Sequence, residues 1–424
     1  MENLKNKIKN LYKKGFFHIF CSNVLNKIMQ FCSGIFIIRF LSKGDFGIFS
    51  YSQNLLSFFL LLNGFGISDA LMQFGSKAKD KKEQNKVLKY SLKISLFSNA
   101  IISVLILLYY LFGTFKITEA RNIFLWMIFF PILSILIQII QLKLRIELKN
   151  KEMSKFSNMN TFLNLFGMLL GAKINGIKGL IVGKYIGNIL SLIISLKYIE
   201  EIFKGWKNIL KISKIKRKQI NKFAIISMFN NGMSRFLYIA DIFLIGYFIA
   251  SKTVLASYKT ATLIPFALNF IPMSVMIYIY PYFAKNGDDL NWIKINYKKL
   301  VKYMFLGNLL ITIFLIIFSK YIIIILFGKQ YIDSIKPFMI LSLGYFFAST
   351  FRIPAGNILA AIGQIKFNFY GTIICGSLNI LLDILLIKNF GSIGAAYATL
   401  TIFIFSGLLG NIFLYYYLNT NIKS

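Results

Sequence analysis

Hydrophobic stretches long enough to cross a membrane occupy most of the chain. A membrane-spanning helix needs about 20 mainly apolar residues, and twelve stretches of roughly this length are separated by short polar segments. Their approximate limits are 16–41, 46–68, 88–112, 121–144, 156–173, 176–198, 222–250, 257–283, 300–319, 335–362, 367–388 and 391–418. The pattern predicts an all-α integral membrane protein with twelve transmembrane helices.

Basic residues are distributed unevenly between the alternate connecting segments. With the N-terminus placed in the cytoplasm, 33 of the 49 Lys and Arg residues fall in inner segments and 13 in outer segments. The remaining three, Lys27, Arg235 and Arg352, lie inside predicted helices. The inner excess follows the positive-inside rule, so we expect a multi-pass protein with both termini in the cytoplasm.

The composition agrees with this interpretation. The 424 residues are 57% hydrophobic and 15% charged, whereas soluble domains carry about 25% charged residues. The formal net charge is +34, but a nucleic-acid-binding protein gathers its basic and aromatic residues on one folded soluble face. No connecting segment is long enough to form such a face, so we expect no nucleic-acid partner. Cys21, Cys32 and Cys375 lie in apolar stretches and predict no disulfide framework.

An internal repeat relates the first helix pair to the seventh and eighth helices. A shift of 207 residues brings Ser50-Tyr51 onto Ser257-Tyr258. Transporters are commonly built from such repeats, with the substrate held at their interface. We therefore predict two pseudo-symmetric six-helix bundles, 1–198 and 222–424, joined by a basic cytoplasmic linker, 199–221. The linker pattern fits both an amphipathic segment on the anionic inner leaflet and a solvated loop.

The chemistry that an enzyme would need is missing from the sequence. His18 is the only histidine, and no outer loop exceeds about twenty residues. The segment GLIVGKY from Gly179 resembles a phosphate loop, but it has the wrong spacing and no Ser or Thr after the lysine. Gly179, Gly183 and Gly187 instead predict close helix packing. We expect a transporter without enzymatic activity or a built-in ATPase, driven by an ion gradient, the membrane potential or the substrate gradient.

Basic residues inside the predicted helices are candidates for substrate binding. An ionisable group at membrane depth is costly unless it faces a cavity or a partner. Lys27, Arg235 and Arg352 meet this description, and Arg39 and Lys259 near outer helix ends extend the set. We expect Lys27 and Arg235, on repeat-equivalent helices, to face each other in a cationic cavity suited to phosphate or pyrophosphate. The alternative is that these side chains snorkel or form structural pairs.

Acidic residues inside the predicted helices are fewer. They are Asp241, Asp383 and Asp69. Asn379 and Asp383 are four residues apart and share a helical face, and Thr399 is within reach from the next helix. Carboxylate, amide and hydroxyl oxygens suit sodium, or one carboxyl group can carry a proton. The alternative is a salt bridge with an intramembrane arginine.

Five segments, in order along the chain, resemble bacterial O-antigen flippases, members of the multidrug/oligosaccharidyl-lipid/polysaccharide exporter superfamily. The segments are LSKGDFGIFSYSQ from Leu41, LNGFGISDALMQF from Leu62, ILFGKQY from Ile325, LAAIGQIK from Leu359 and FGSIGAAYAT from Phe390. The resemblance implies two bundles around a central V-shaped cavity in the bacterial cytoplasmic (inner) membrane. It also implies alternating-access flipping of undecaprenyl-pyrophosphate-linked oligosaccharide for O-antigen (lipopolysaccharide) or capsule.

The resemblance also implies residue roles. Family members hold pyrophosphate and sugars with basic cavity residues. Some relatives bind a cation through an Asp on helix seven and an Asn and an Asp four apart on helix eleven, a pattern that Asp241, Asn379 and Asp383 match; Thr399 fits a fourth ligand. The implied coupling ion is Na⁺ or H⁺, with no other cofactor. The implied partners are the lipid-linked oligosaccharide, membrane lipids, and a polysaccharide polymerase and glycosyltransferases.

Three other functions remain open from the sequence. A cation-coupled multidrug exporter favours an acidic and aromatic cavity over a basic one. A membrane polysaccharide polymerase favours a large outer loop with arginines, and the outer loops here are short. Peptidoglycan-precursor flippases resemble this chain but have two additional helices.

Overall fold

The computed structural model of the protein describes residues 16–196, 198, 200 and 212–421. This part of the chain contains helices and no β-strand. It forms two compact units, Met1–Ile239 and Ala240–Ser424. The predicted linker, 199–221, lies partly outside the described residues, and the predicted bundle limits stay predictions.

The first unit consists of seven helices and most of an eighth. They are α1 (Phe16–Phe40), α2 (Lys43–Phe59), α3 (Ile67–Ser76), α4 (Lys81–Phe112), α5 (Ala120–Leu125), α6 (Phe130–Ile146), α7 (Asn150–Ile194) and α8 (Lys214–Phe248), whose last residues belong to the second unit. Helix α1 packs on α7 through polar contacts. The Ser22 hydroxyl donates to Asn158 Oδ1 at 2.5 Å, and Asn26 Nδ2 donates to Ser157 Oγ at 3.0 Å.

The second predicted span, 46–68, is not one continuous helix. A 3-10 segment, Leu60–Gly66, separates α2 from α3, with φ of 59° at Gly64 and 73° at Gly66. Glycine is required at Gly66, because a Cβ built there would lie 2.1 Å from the carbonyl oxygen of Ala224. The buried Asn99 of α4 fastens the break, since its Oδ1 accepts from the Gly64 amide at 3.2 Å. A hydrogen bond from a neighbouring helix therefore stabilises the break between α2 and α3.

The second unit consists of the end of α8 and seven further helices. They are α9 (Lys252–Ala267), α10 (Phe270–Lys285), α11 (Leu290–Ile317), α12 (Ser319–Phe327), α13 (Ile335–Phe347), α14 (Ile353–Ala361) and α15 (Ile365–Asn421). A 3-10 turn, Lys329–Ser334, precedes α13, and a π-helical turn, Ala348–Arg352, joins α13 to α14.

Polar side chains start several of these helices in both units. The Ser42 hydroxyl accepts from the Asp45 amide at 3.0 Å to cap α2, and Ser251 accepts from the Val254 amide at 3.4 Å to cap α9. An N-cap side chain satisfies one of the amides that the first helical turn leaves unpaired. A serine followed by a lysine therefore marks the start of one helix in each unit.

Two long helices double back on themselves at a glycine. Helix α7 breaks at Gly176 (φ 52°, ψ −136°), and α15 breaks at Gly391 with nearly the same dihedrals (φ 61°, ψ −138°). Three residues beyond each break is a second glycine, Gly179 or Gly394. A Cβ built on either would lie 2.0 Å from a backbone carbonyl oxygen of the preceding helical arm. The two hairpins are thus equivalent in geometry.

Nine stretches of the described chain are long and apolar enough to cross a membrane. They are Cys21–Phe40, Lys43–Ser76, Lys81–Phe112, Ala120–Ile146, Asn150–Ile194, Lys252–Lys285, Leu290–Ile317, Lys329–Ala361 and Lys366–Thr420. Ile239–Phe248 is a shorter apolar helix. The all-α membrane class agrees with the prediction, whereas the number twelve stays a prediction.

Candidate functional site

A buried polar cluster lies in the second unit, where three helices meet. Asp241 comes from the end of α8 and Tyr258 from the first half of α9. The other members come from α15, which contributes Asn379 and Asp383 before its break and Thr399 after it. Because the glycine break folds α15 back, residues far apart on one helix reach the same point.

The carboxylate of Asp241 accepts hydrogen bonds from three other members of the cluster. Its Oδ2 accepts from the Tyr258 hydroxyl at 2.8 Å and from Thr399 Oγ1 at 2.7 Å. Its Oδ1 accepts from Asn379 Nδ2 at 3.3 Å. The same amide nitrogen donates to Asp383 Oδ2 at 2.5 Å. The amide of Asn379 therefore links the two carboxyl groups, and the structure brings together the four residues that the sequence grouped.

The charge of this cluster is not balanced by a basic side chain. Asp383 is 0% and Asp241 is 7% exposed, and Asp383 Oδ1 has no hydrogen-bond partner. Within residues 16–196, 198, 200 and 212–421, neither carboxylate forms an ion pair with Lys or Arg, so the alternative of a salt bridge finds no support there. Two adjacent buried carboxylates are strongly unfavourable unless a cation or a proton compensates them.

The donor set fits a small hard cation or a proton. The cluster offers two carboxylates, one carboxamide and two hydroxyl groups, which are the oxygen ligands that alkali and alkaline-earth ions prefer. Rotation of the Asn379 amide exchanges its nitrogen for an oxygen ligand. Groups of three or more His, Cys, Asp and Glu that would suit a transition metal are absent from the described residues. The unpaired Asp383 Oδ1 is the atom with free capacity for the ion.

Asp69, the third carboxylate inside the predicted helices, forms hydrogen bonds that join two helices of the first unit. Asp69 lies in the first turn of α3 and is half-buried. Its Oδ2 accepts from the Ser227 hydroxyl at 2.8 Å and from Asn231 Nδ2 at 2.6 Å. The negative charge of Asp69 is favourable at the N-terminus of α3. Its two hydrogen bonds to residues of α8 hold α3 against α8 within the first unit.

The five predicted substrate-binding cations are divided between the two units. Lys27, Arg39 and Arg235 belong to the first unit, and all three side chains are exposed. Lys259 and Arg352 belong to the second unit and are half-buried. The guanidinium carbon of Arg352 lies 5.2 Å from the centre of a phenylalanine ring. A common anion site formed by these residues stays a prediction.

The sequence pattern assigned no role at a site to two residues, Tyr258 and Lys184. Tyr258 completes the carboxylate cluster, but a hydroxyl that reaches a neighbouring helix leaves no spacing signal along its own helix. Lys184 counts as an outer-segment residue by sequence, yet it lies in α7 about 12 Å along the helix axis from the break at Gly176. Its ammonium lies 3.4 Å from Gln53 Oε1 and 4.5 Å from the centre of the Phe130 ring.

Comparison of the two hairpins, aligned at the glycine of each break, identifies the residue of the second unit that is equivalent to Lys184. Lys184 follows Gly176 by eight residues, and Thr399 follows Gly391 by eight residues. By the same comparison, Met168 occupies the position of Asp383. The first unit therefore has an apolar side chain in place of a carboxylate, and a lysine in place of a threonine.

The fold is that of the MOP-superfamily transporters. An inward-facing multidrug resistance MATE family transporter of that superfamily matches with a TM-score of 0.78 at 12% identity, over 94% of this chain and 96% of that chain. The lipid II flippase MurJ, in an inward closed conformation, matches with a TM-score of 0.72 at 17% identity, over 96% and 87%. A Vibrio cholerae MATE transporter variant matches with a TM-score of 0.65 at 12% identity, over 97% and 98%.

The chain belongs to the polysaccharide biosynthesis protein family, whose sequence model matches residues 36–336. An uncharacterized membrane protein of Methanocaldococcus jannaschii is 31% identical over 191 residues, which cover 41% of this chain and 36% of that protein. This chain thus matches about a third of the length of that curated relative. The predicted polysaccharide family is confirmed by this match, and the predicted fold agrees with that of the solved MOP-superfamily transporters. The expectation of a multi-pass membrane protein agrees with the apolar helices of the described chain.

Proposed function

We propose that this protein is a flippase that moves undecaprenyl-pyrophosphate-linked oligosaccharide repeat units, of O-antigen or capsular polysaccharide, across the cytoplasmic membrane. The observation that carries this proposal is the combination of a polysaccharide biosynthesis family with a transporter fold. The family supplies the class of substrate, a glycan, and the fold supplies the class of action, translocation. The shared fold with a flippase of lipid II supports a lipid-linked carrier.

In the proposed cycle, basic side chains capture the pyrophosphate while the lipid tail stays in the bilayer. Lys27 and Arg235 are exposed on membrane helices, so their charged ends are accessible to a substrate. Ammonium and guanidinium groups form charge-assisted hydrogen bonds to phosphate oxygens, and these bonds are about twice as strong as neutral ones. The two repeats then alternate between openings towards the two faces of the membrane.

The coupling ion in this proposal is Na⁺ or H⁺ at the polar cluster of the second unit. Asp241, Asp383, Asn379 and Thr399 would hold it, and the Tyr258 hydroxyl orients the Asp241 carboxylate. The ion supplies the free energy of its gradient. In the first unit Met168 and Lys184 occupy the positions equivalent to Asp383 and Thr399, so these positions offer no carboxylate for an exchangeable cation.

The proposed substrate contacts are tested by the double variant Lys27→Ala/Arg235→Ala. We expect loss of surface glycan and of lipid-linked oligosaccharide translocation in proteoliposomes, while the protein still reaches the membrane. The double variant Lys320→Ala/Lys336→Ala removes the same charge from exposed positions and should keep wild-type transport. Wild-type glycan levels in the first variant would contradict the proposed role of this pair.

We expect translocation to require the positive charge of the Lys184 side chain. We expect Lys184→Met to lower the translocation rate about tenfold or more, the usual effect of losing a charge-assisted hydrogen bond, and Lys184→Arg to retain most of it. The exposed Lys178 provides the control, because Lys178→Met changes the same side chain outside the hairpin contact. Equal rates for Lys184→Met and the wild type would show that this charge is dispensable.

A cation-coupled multidrug exporter is the second candidate function. The observation in its favour is the buried acidic cluster together with the likeness to a multidrug transporter. Proteoliposomes that extrude a lipophilic cation such as ethidium, but do not translocate lipid-linked oligosaccharide, would establish this function instead.

A further inference from the structure

A groove of about 340 Å³ runs along α11 beside the last turns of α15 in the second unit. It is lined by Lys298, Val301, Lys302, Phe305, Leu306 and Tyr415. Neither the anion contacts nor the cation cluster proposed above includes any of these residues. The groove therefore needs its own explanation.

The polar and apolar parts of this groove are separated along the helix. Lys298 and Lys302 are four residues apart, so they lie on one helical face about 6 Å from each other. Both side chains are exposed, and neither forms an ion pair within the described ranges of the chain. Beyond Lys302 the helix contains no charged residue up to Ile317. The two ammonium groups thus mark the boundary between the polar end of α11 and its membrane-spanning part.

The apolar part of the groove is open to its surroundings. Leu306 is 51% and Phe305 is 39% exposed, and no carboxylate lines the groove. The two lysines lie next to the apolar part of the groove. This arrangement complements a molecule with one anionic head group and an attached hydrocarbon chain. Lysines at the membrane surface favour anionic lipids in the same way.

We propose that this groove binds one anionic phospholipid of the membrane leaflet at the lysine-rich end of α11, the inner leaflet in the predicted topology. The phosphate lies between Lys298 and Lys302, and an acyl chain follows Val301, Phe305 and Leu306. Two ammonium groups one helical turn apart fit a single phosphodiester. The lining offers no carboxamide or carboxylate for sugars, which favours a phospholipid over a glycan-bearing lipid. This proposal is independent of the transported substrate.

The proposal is tested with purified full-length protein in detergent, titrated with phosphatidylglycerol or phosphatidylcholine and followed by native mass spectrometry. We expect the wild type to bind phosphatidylglycerol more tightly than phosphatidylcholine. A juxtamembrane lysine contributes about fivefold to anionic lipid affinity, so Lys298→Gln/Lys302→Gln should weaken phosphatidylglycerol binding by roughly twentyfold. Phosphatidylcholine binding should change little.

The matched control is Lys285→Gln/Lys299→Gln, which removes two exposed lysines that do not line the groove. If both double variants weaken phosphatidylglycerol binding equally, the effect is general surface charge and the proposal is wrong. A charge-neutral variant, Leu306→Trp, fills the apolar part and should also weaken binding; unchanged affinity would overturn the placement of the acyl chain. The thermal unfolding midpoint of each variant verifies that it is folded.

A final titration separates the two sources of a lipid phosphate. Undecaprenyl diphosphate should bind the wild type no more tightly than phosphatidylglycerol does. If it binds more tightly, and loses this affinity in Lys298→Gln/Lys302→Gln, the groove belongs to the lipid-linked substrate and the assignment to phospholipid is overturned.

Discussion

Replacing Asp383 with Asn is expected to abolish cation-coupled transport while the protein still folds. The substitution keeps the shape of a side chain that is 0% exposed and removes its negative charge. Loss of one partner from a buried charge pair costs about 3 to 5 kcal/mol, which corresponds to roughly a hundredfold or more in cation affinity. Transport driven by the cation gradient should fall by at least a similar factor.

The same variant should behave differently from the wild type in thermal unfolding. A ligand that binds only the native state raises its stability, so the wild-type midpoint should rise with Na⁺ at constant ionic strength, or with falling pH if the ion is a proton. Asp383→Asn should lose this dependence. Without the ion it should be at least as stable as the wild type, because an uncompensated buried carboxylate has been removed.

The control for this experiment is Asp288→Asn, which changes an exposed acidic residue and should keep the wild-type response. Thr399→Val should weaken the response less than Asp383→Asn, because it removes a neutral hydroxyl and leaves both carboxylates. A Na⁺ or pH response in Asp383→Asn equal to that of the wild type would show that the cluster does not hold the coupling ion.

The main features of this cluster were predictable from the sequence. Asn379 and Asp383 share a helical face because they are four residues apart, and charges within apolar stretches are rare enough to attract attention. Thr399 was grouped with them because the next predicted helix brings it within reach, whereas the family resemblance was needed to add Asp241. Tyr258 was not grouped with them, because its role depends on the distance between two helices.

The position of Lys184 shows what a hydropathy pattern cannot locate. The predicted spans 156–173 and 176–198 place the turn correctly, but an apolar window does not show how closely the two arms approach each other or what a side chain on them contacts. The break at Gly176 depends on a positive φ and on close backbone contact between the two arms. The predicted span 176–198 contains Lys184, but only the three-dimensional structure places its ammonium against Gln53.

The interruption of the second span has a similar cause. The segment 46–68 is mainly apolar and contains no charged residue, so its pattern predicts one helix. Gly64 and Gly66 adopt a left-handed conformation there, and Asn99 of a neighbouring helix binds the Gly64 amide. The supporting side chain is distant in sequence, so the local pattern alone does not reveal the break.

The glycine hairpin of α7 leads to the largest expected effect on folding. A Cβ built on Gly171 would lie 1.9 Å from the carbonyl oxygen of Gly179, and one built on Gly183 would lie 1.9 Å from that of Gly167. Both obstacles are backbone atoms, so rotation of a side chain cannot relieve the overlap. Close helix approach through small residues is a main source of packing energy between membrane helices.

We therefore expect Gly171→Leu to separate the two arms and to lower the free energy of unfolding by about 3 kcal/mol or more, beyond the usual cost of overpacking. The measurement is the yield of monodisperse protein after extraction, together with the thermal unfolding midpoint. Gly307→Leu in α11 is the matched control, because no heavy atom lies within 4 Å of a Cβ built there. If the two variants unfold at the same temperature, the contact between the arms of α7 is not what stabilises the first unit.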